Sequence, residues 1–174
     1  GTFHSIFARI LRTEAQHIGY KSSFTIYDTT DSKSVIKACI KELNLDDNVY
    51  KAGDVMGRIS MAKNHLVQAK VYQNNHTLTA EDAATRKPRI ADIYLLYEQK
   101  CRLSDAMDFD DLLLNTNILF RDHPEVLEKY QKMFRYILVD EYQDTNRAQY
   151  LIVKKLAEAH HNVTVVGDDA QSIY

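Results

Sequence analysis

Apolar positions along most of this chain recur at helical spacing, and polar stretches carrying cap-forming residues separate one run from the next. Ile6, Phe7, Ile10 and Leu11 line one side of a helix over residues 1–12, with Thr2 or Ser5 available as its cap. Residues 21–28 are polar and β-prone, which predicts a loop with a short extended piece. Val35, Ile36, Cys39, Ile40 and Leu43 predict a helix that opens after the N-cap oxygens of Thr30 and Asp31 and ends near Asn44. Asp54 is the expected cap of the next, which carries Val55, Met56, Ile59, Ala62 and Leu66. Residues 70–88 are mostly polar, with a capping-box-like Thr79-Ala80-Glu81-Asp82, and are expected to be the most mobile part of the chain. Ile90, Ile93, Tyr94, Tyr97 and Cys101 mark a stronger helix over 89–102, with its tyrosines in the core. Asp108 caps a helix whose first turn holds Asp110 and Asp111, acids that suit the positive end of its dipole better than they suggest a metal site. Pro124 opens another helix at the position where a missing N–H costs nothing.

The period then shifts. Tyr136-Ile137-Leu138-Val139 runs straight into Asp140 and Glu141, and Val163-Thr164-Val165-Val166 runs into Gly167-Asp168-Asp169, with a helical stretch between. Strand, helix, strand is a βαβ unit, so both acidic tips are expected at one edge of a parallel sheet whose strands are buried on both faces. That edge is where open α/β sheets bind ligands. Carboxylates converging there suit a hydrated divalent cation and, with it, phosphate chemistry.

Composition narrows the class. With 174 residues, 45% hydrophobic and 26% charged, the chain is long enough for one domain or a domain with an insertion. No apolar run approaches the roughly 20 residues of a membrane span, and no signal-peptide pattern opens the chain, so a cytoplasmic location without membrane contact is the expectation. Cys39 and Cys101 have no metal-type spacing and read as buried helix residues. The net charge of -2 hides an asymmetry: residues 1–105 hold 15 Lys+Arg and 12 Asp+Glu, whereas 106–174 hold 7 and 12. The mild positive balance of the first part permits a nucleic-acid partner. Gly1 follows no initiator Met and Tyr174 closes on a motif, which reads as a piece of something longer.

Asp140-Glu141 after an apolar strand resembles a Walker B element; the alternative is two acids capping a strand or the following helix. Gly167-Asp168-Asp169-Ala170-Gln171-Ser172-Ile173-Tyr174 offers an amide able to bond a terminal phosphate oxygen and an aromatic able to stack on a base. Together, Ile137 to Asn146 and Val166 to Tyr174 resemble motifs II and III of the UvrD/Rep/PcrA-type superfamily I DNA helicases. Gly1-Thr2-Phe3-His4-Ser5 is similar to that family's motif Ib, and Met107 to Leu113 to its DFDDLL element, in the family's order.

The resemblance implies a partial RecA-like parallel sheet of the P-loop NTPase type with a mostly α-helical inserted subdomain: residues 1–18 and 106–174 in the first motor domain, 19–105 in the insertion. It implies ATP and Mg²⁺ as cofactors, with Asp140 as metal ligand, Glu141 as general base, Gln171 as γ-phosphate sensor and Gln143 coupling the nucleotide to a second motor domain. Thr2, His4 and Tyr174 would touch single-stranded DNA, with forked DNA as substrate and repair or recombination proteins as partners. Phosphate contacts in the insertion have Lys63, Lys70, Arg86, Lys87 and Arg89 as candidates. Departures are Ala170, where many members carry an acid, and Tyr142 in place of the commoner Phe. No GxxxxGK[ST] occurs, so the Walker A loop and the second motor domain must come from elsewhere, and the chain alone is expected to be inactive. Two other classes stay open: a metal-dependent phosphohydrolase or nuclease using Asp140, Glu141, Asp144 and Asp168, and a non-catalytic interaction module. His160-His161 read as the favourably charged end of the last helix. A dimer is one way to cover an exposed sheet.

Overall fold

The computed structural model describes residues 2–139, 146–160 and 163–165. Helix α1 (Phe3–Thr13) is capped by Thr2, whose hydroxyl accepts from Ser5 N, and a 3-10 turn (Ala15–Ile18) follows. Strand β1 (Thr25–Tyr27) leads into five helices: α2 (Thr29–Glu42), α3 (Ala52–Asn64), α4 (Ala69–Gln73), α5 (His76–Ala84) and α6 (Ile90–Leu103). Strand β2 (Ala106–Asp108) then runs into α7 (Phe109–Asp122), followed by α8 (Pro124–Met133), β3 (Ile137–Val139), α9 (Arg147–Ala157) and β4 (Val163–Val165). The class is mixed α/β and mostly helical.

Two apolar cores form. Ile36, Cys39, Ile40, Val55, Ile59, Tyr72, Ile93, Tyr94, Tyr97 and Cys101 bring α2, α3, α4 and α6 together. Phe7, Leu11, Phe24, Met107, Leu112, Phe120, Tyr130 and Ile152 join α1, α7, α8 and α9. The helical stretches read from apolar periodicity supply these stripes, and both cysteines are buried. Between the cores, β1 and β2 pair in parallel, Thr25 opposite Ala106 and Tyr27 opposite Asp108, so the chain enters and leaves the five-helix block at adjacent points. Asn117 Nδ2 donates to Ala148 O at 3.1 Å and ties α7 to α9.

Several local expectations need correction. Helix α2 begins earlier than Thr30-Asp31 suggested, because Asp28 and Asp31 form a reciprocal capping box. Asp54 lies in the first turn of α3, not at its cap, where Lys51 stands. Residues 70–88 are not an open loop. Asn75 caps α5, and buried Asp82 accepts from Arg58 Nε at 2.9 Å and from the Tyr72 hydroxyl, while Arg58 Nη2 reaches Glu81 at 2.8 Å. A charged network, invisible to a search for apolar periodicity, holds this segment.

Strands β3 and β4 pair in parallel with Ile137 opposite Val163 and Val139 opposite Val165, as the βαβ reading required. Burial on both faces does not hold, however: Leu138 is 69% exposed, and only two strands make this sheet among the described residues. The last helix stops at Ala157, and His160 Nε2 lies 2.7 Å from Phe134 O beyond it. His161 lies outside the described residues. No helix among the described residues is long and apolar enough to cross a membrane.

Candidate functional site

The parallel register ends β3 and β4 side by side at Val139 and Val165. Asn146 then restarts the helix with a capping box to Gln149. Asp140, Glu141, Gln143, Asp144, Asp168, Gln171 and Tyr174 lie outside the described residues. Beside the strand ends, a largely apolar cleft of about 540 Å³ is walled by Phe7, Phe134, Tyr136, Leu138 and Leu156, with Thr2 and His4 at its rim. Tyr136 is 83% exposed, so a substantial apolar face remains open to solvent.

Thr2 is exposed and occupied as a helix cap. His4 packs edge-on against Phe109, ring centroids 5.9 Å apart, which brings the motif-Ib-like segment against the first residue of α7. Phe109 itself is partly open to solvent. Next to it, burial holds the Asp110 carboxyl above its ordinary range, opposed by the Ser60 hydroxyl and by the charges of Lys63 and His4.

Behind this surface lies the most strongly charged interior cluster among the described residues. Lys63, on the apolar side of α3, is 2% exposed, and its Nζ stands 2.8 Å from Asp108 Oδ2 and 2.8 Å from Asp111 Oδ1. The Tyr97 hydroxyl donates to the same Asp108 oxygen at 2.7 Å. Asp108 and Asp111 also close the capping box of α7, through Asp111 N to Asp108 Oδ1 at 2.8 Å and Asp108 N to Asp111 Oδ2 at 3.0 Å. Burial alone would lower the lysine pKa; its two carboxylate partners outweigh that and hold it well above the usual value. Burial pushes Asp108 up, but Lys63 wins and the group sits below the ordinary carboxylate range. For Asp111, burial and then the charge of Asp108 prevail over Lys63 and push its pKa up to about 7. Asp108 and Asp111 therefore serve a lysine and a helix start, and the cation they hold is covalently part of the chain.

Lys63 is thus out of reach of any nucleic acid. Among the other expected phosphate contacts, Arg89 pairs with Asp92, Lys87 lies 3.8 Å from Asp54, and Lys70 and Arg86 are exposed. A better basic surface appears elsewhere. Lys33, Lys37 and Lys41 follow one another down the exposed face of α2 at four-residue intervals and, with Lys51, rim a concavity of about 900 Å³ that also contains Asp46 and Asp47. That four-residue spacing on a helix with an apolar opposite face was a usable sequence signal. Lys63 carried one too, standing four residues after Ile59 and eight after Val55 on the buried stripe.

The profile of the UvrD/REP helicase N-terminal domain matches residues 1–174. The chain is 46% identical over 173 residues to the ATP-dependent DNA helicase PcrA of Bacillus subtilis (strain 168), covering 99% of this chain and 23% of that protein. Similar proteins carrying the same description occur in Leuconostoc citreum, 44% identical with 99% of this chain and 22% of that protein covered, and in Staphylococcus aureus (strain Mu50 / ATCC 700699), 46% identical with 99% and 23% covered. The chain therefore spans less than a quarter of the length of these curated relatives.

Proposed function

The chain belongs to the UvrD/REP helicase N-terminal domain family, and from that premise we propose that it supplies part of the first motor domain of an ATP-dependent DNA translocase and helicase. The observation that carries this reading is the parallel β3–α9–β4 unit, in which the segments resembling motifs II and III each follow directly from a strand of the same pair. Its relatives' description as ATP-dependent DNA helicases supports the same substrate and energy source here.

In this reading the sheet is RecA-like and of the P-loop NTPase type. Residues 1–18 and 106–174 are motor, and 19–105 are the inserted helical subdomain. The adjacency of β1 and β2 and the separate apolar core of α2 to α6 support an insertion. A carboxylate donor set at Asp140 and Glu141 suits the hard Mg²⁺ ion, which when bound with ATP would neutralise phosphate charge. Asp140 serves as the ligand, Glu141 accepts a proton from the attacking water, Gln171 donates to the γ-phosphate and Gln143 links the nucleotide to the second motor domain. Thr2, His4 and Tyr174 lie on the path of single-stranded DNA, and the edge-on contact of His4 with half-exposed Phe109 places a second aromatic ring beside that path. Movement is 3′→5′ on forked DNA in repair or recombination, and the 174 residues alone turn over no ATP.

The test is DNA-stimulated ATP hydrolysis by the full-length protein, wild type beside Glu141→Gln. The expected result is stimulated turnover that collapses in the variant while nucleotide binding persists. A wild-type protein that binds DNA without turnover, or a variant that hydrolyses normally, would sink this assignment.

A further inference from the structure

We propose that His17, His123 and Glu125 form a binding site for one borderline transition-metal ion of the zinc class. The three donors come from separate positions: His17 from the 3-10 turn after α1, His123 from the joint between α7 and α8, and Glu125 from the first turn of α8. Their ligand atoms all lie within 4.8 Å of one another. His123 Nδ1 and Glu125 Oε1 are 3.3 Å apart, and the two imidazole centroids stand 4.7 Å apart at a 51° tilt.

These distances fit a shared ion. With metal–ligand bonds of about 2.0–2.1 Å in tetrahedral geometry, two donors on one zinc are separated by roughly 3.3 Å. His123 and Glu125 already meet that spacing, and a modest side-chain rotation of His17 completes the triangle. The backbone that carries them is fixed independently. His123 N donates to Leu119 O at 2.9 Å, Val126 N donates to His123 O at 3.0 Å, and His17 N donates to Glu14 O at 3.0 Å. The ion pair of Lys129 with buried Glu14, at 2.8 Å, clamps α8 to the start of the 3-10 turn beside the cluster.

The donor set selects the ion. Two imidazoles and one carboxylate suit Zn²⁺, Co²⁺, Ni²⁺ or Cu²⁺, whereas Mg²⁺ prefers oxygen ligands and keeps its waters. Glu125 is exposed, so solvent reaches the site and a fourth position is left for water. The site shares no residue with the nucleotide reading. Bound metal ties the 3-10 turn after α1 to the α7–α8 joint, two segments next to helices of the second apolar core, and stabilises that part of the molecule by mass action.

Calorimetric titration of Zn²⁺ into the full-length protein, free of any polyhistidine tag and in excess Mg²⁺, tests this. One equivalent is expected to bind in the wild type with a thermal-midpoint rise of several degrees that a chelator reverses. That equivalent weakens more than about tenfold in His17→Ala and in His123→Ala, and less in Glu125→Gln, while the metal-free midpoints of all four proteins agree. Zn²⁺ binding of the same strength in wild type and both histidine variants, or no binding with an intact fold, overturns the proposal.

Discussion

Lys63 and Asp108 stand 45 positions apart in sequence, yet Lys63 Nζ donates to Asp108 Oδ2 at 2.8 Å with both side chains buried. The lysine comes from α3 in the first apolar core, and the acid caps α7 in the second, so one buried charge cluster spans both. Removing the lysine alone strands the Asp108 carboxylate, with the Asp111 carboxyl beside it, away from water. Lys63→Met should cost about 3–5 kcal/mol of unfolding free energy, read from chemical denaturation. The triple change Lys63→Met, Asp108→Asn, Asp111→Asn should recover part of that loss, since the uncompensated charges go with it. A Lys63→Met protein as stable as wild type would show that the cluster contributes specificity without stability.

The same cluster sets a pH dependence whose sign follows from Asp111. Its pKa is about 7 in the folded protein against an ordinary 3.8, so between those values the folded state holds a proton that the unfolded state has released. Its contribution is complete below about pH 4 and is lost as pH rises through about 7, at up to roughly 1.4 kcal/mol per pH unit. Asp108, held low by Lys63, acts only at more acid pH, and Lys63, held high, only at alkaline pH. Asp110, also raised by burial, overlaps the window but is common to wild type and Asp111→Asn. The stability of Asp111→Asn should therefore decline less steeply over this interval, whatever its absolute value. Parallel curves would mean that Asp111 is ionised throughout.

What could be read in advance follows the range of the forces involved. Helices α1, α7 and α8 were legible because an apolar stripe lies within a few residues of a cap or a first-turn proline, as with Asp108 and Pro124, and α6 from its apolar stripe alone. The parallel pairing of β3 with β4 followed from the helical connection between two apolar runs. The partner of Asp108 was not legible, because ion pairs across 45 positions leave no periodicity. Exposure of Leu138 depends on which strands lie next to it, which its own residues do not encode. The proposed acidic tips, which lie outside the described residues, rest on chemistry next to a strand, whereas the Lys33, Lys37 and Lys41 face needed the helix to be drawn before its charge alignment stood out.

The only buried residue of helix α5 is the acid Asp82, which links it to Tyr72 of α4. Asp82 is buried and shared by Arg58 and Tyr72, so Asp82→Ala takes the acceptor from the buried Tyr72 hydroxyl and one carboxylate partner from Arg58, which keeps its bond to Glu81. The cost should be about 1–3 kcal/mol, felt locally. Hydrogen exchange is expected to accelerate over residues 69–84 while the amides of α1 and α7 keep their protection. Uniform acceleration would indicate that the segment unfolds only with the whole chain.

If the α2 face touches duplex phosphates in the working protein, its lysines will show it in the salt dependence. Each phosphate that a lysine no longer neutralises lowers the slope of log affinity against log salt by about 1. Lys33→Ala, Lys37→Ala and Lys41→Ala combined should flatten that slope by up to about 3 for forked DNA, with little change for short single strands and no change in basal ATP hydrolysis. The exposed stems of these lysines make no ion pair among the described residues, so stability should hold and affinity changes can be read directly. Lys63 cannot mimic this behaviour, since its charge is neutralised internally by Asp108 and Asp111. An unaltered slope in the triple variant would remove α2 from the DNA path and leave Lys70 and Arg86 among the exposed basic candidates on the helical block.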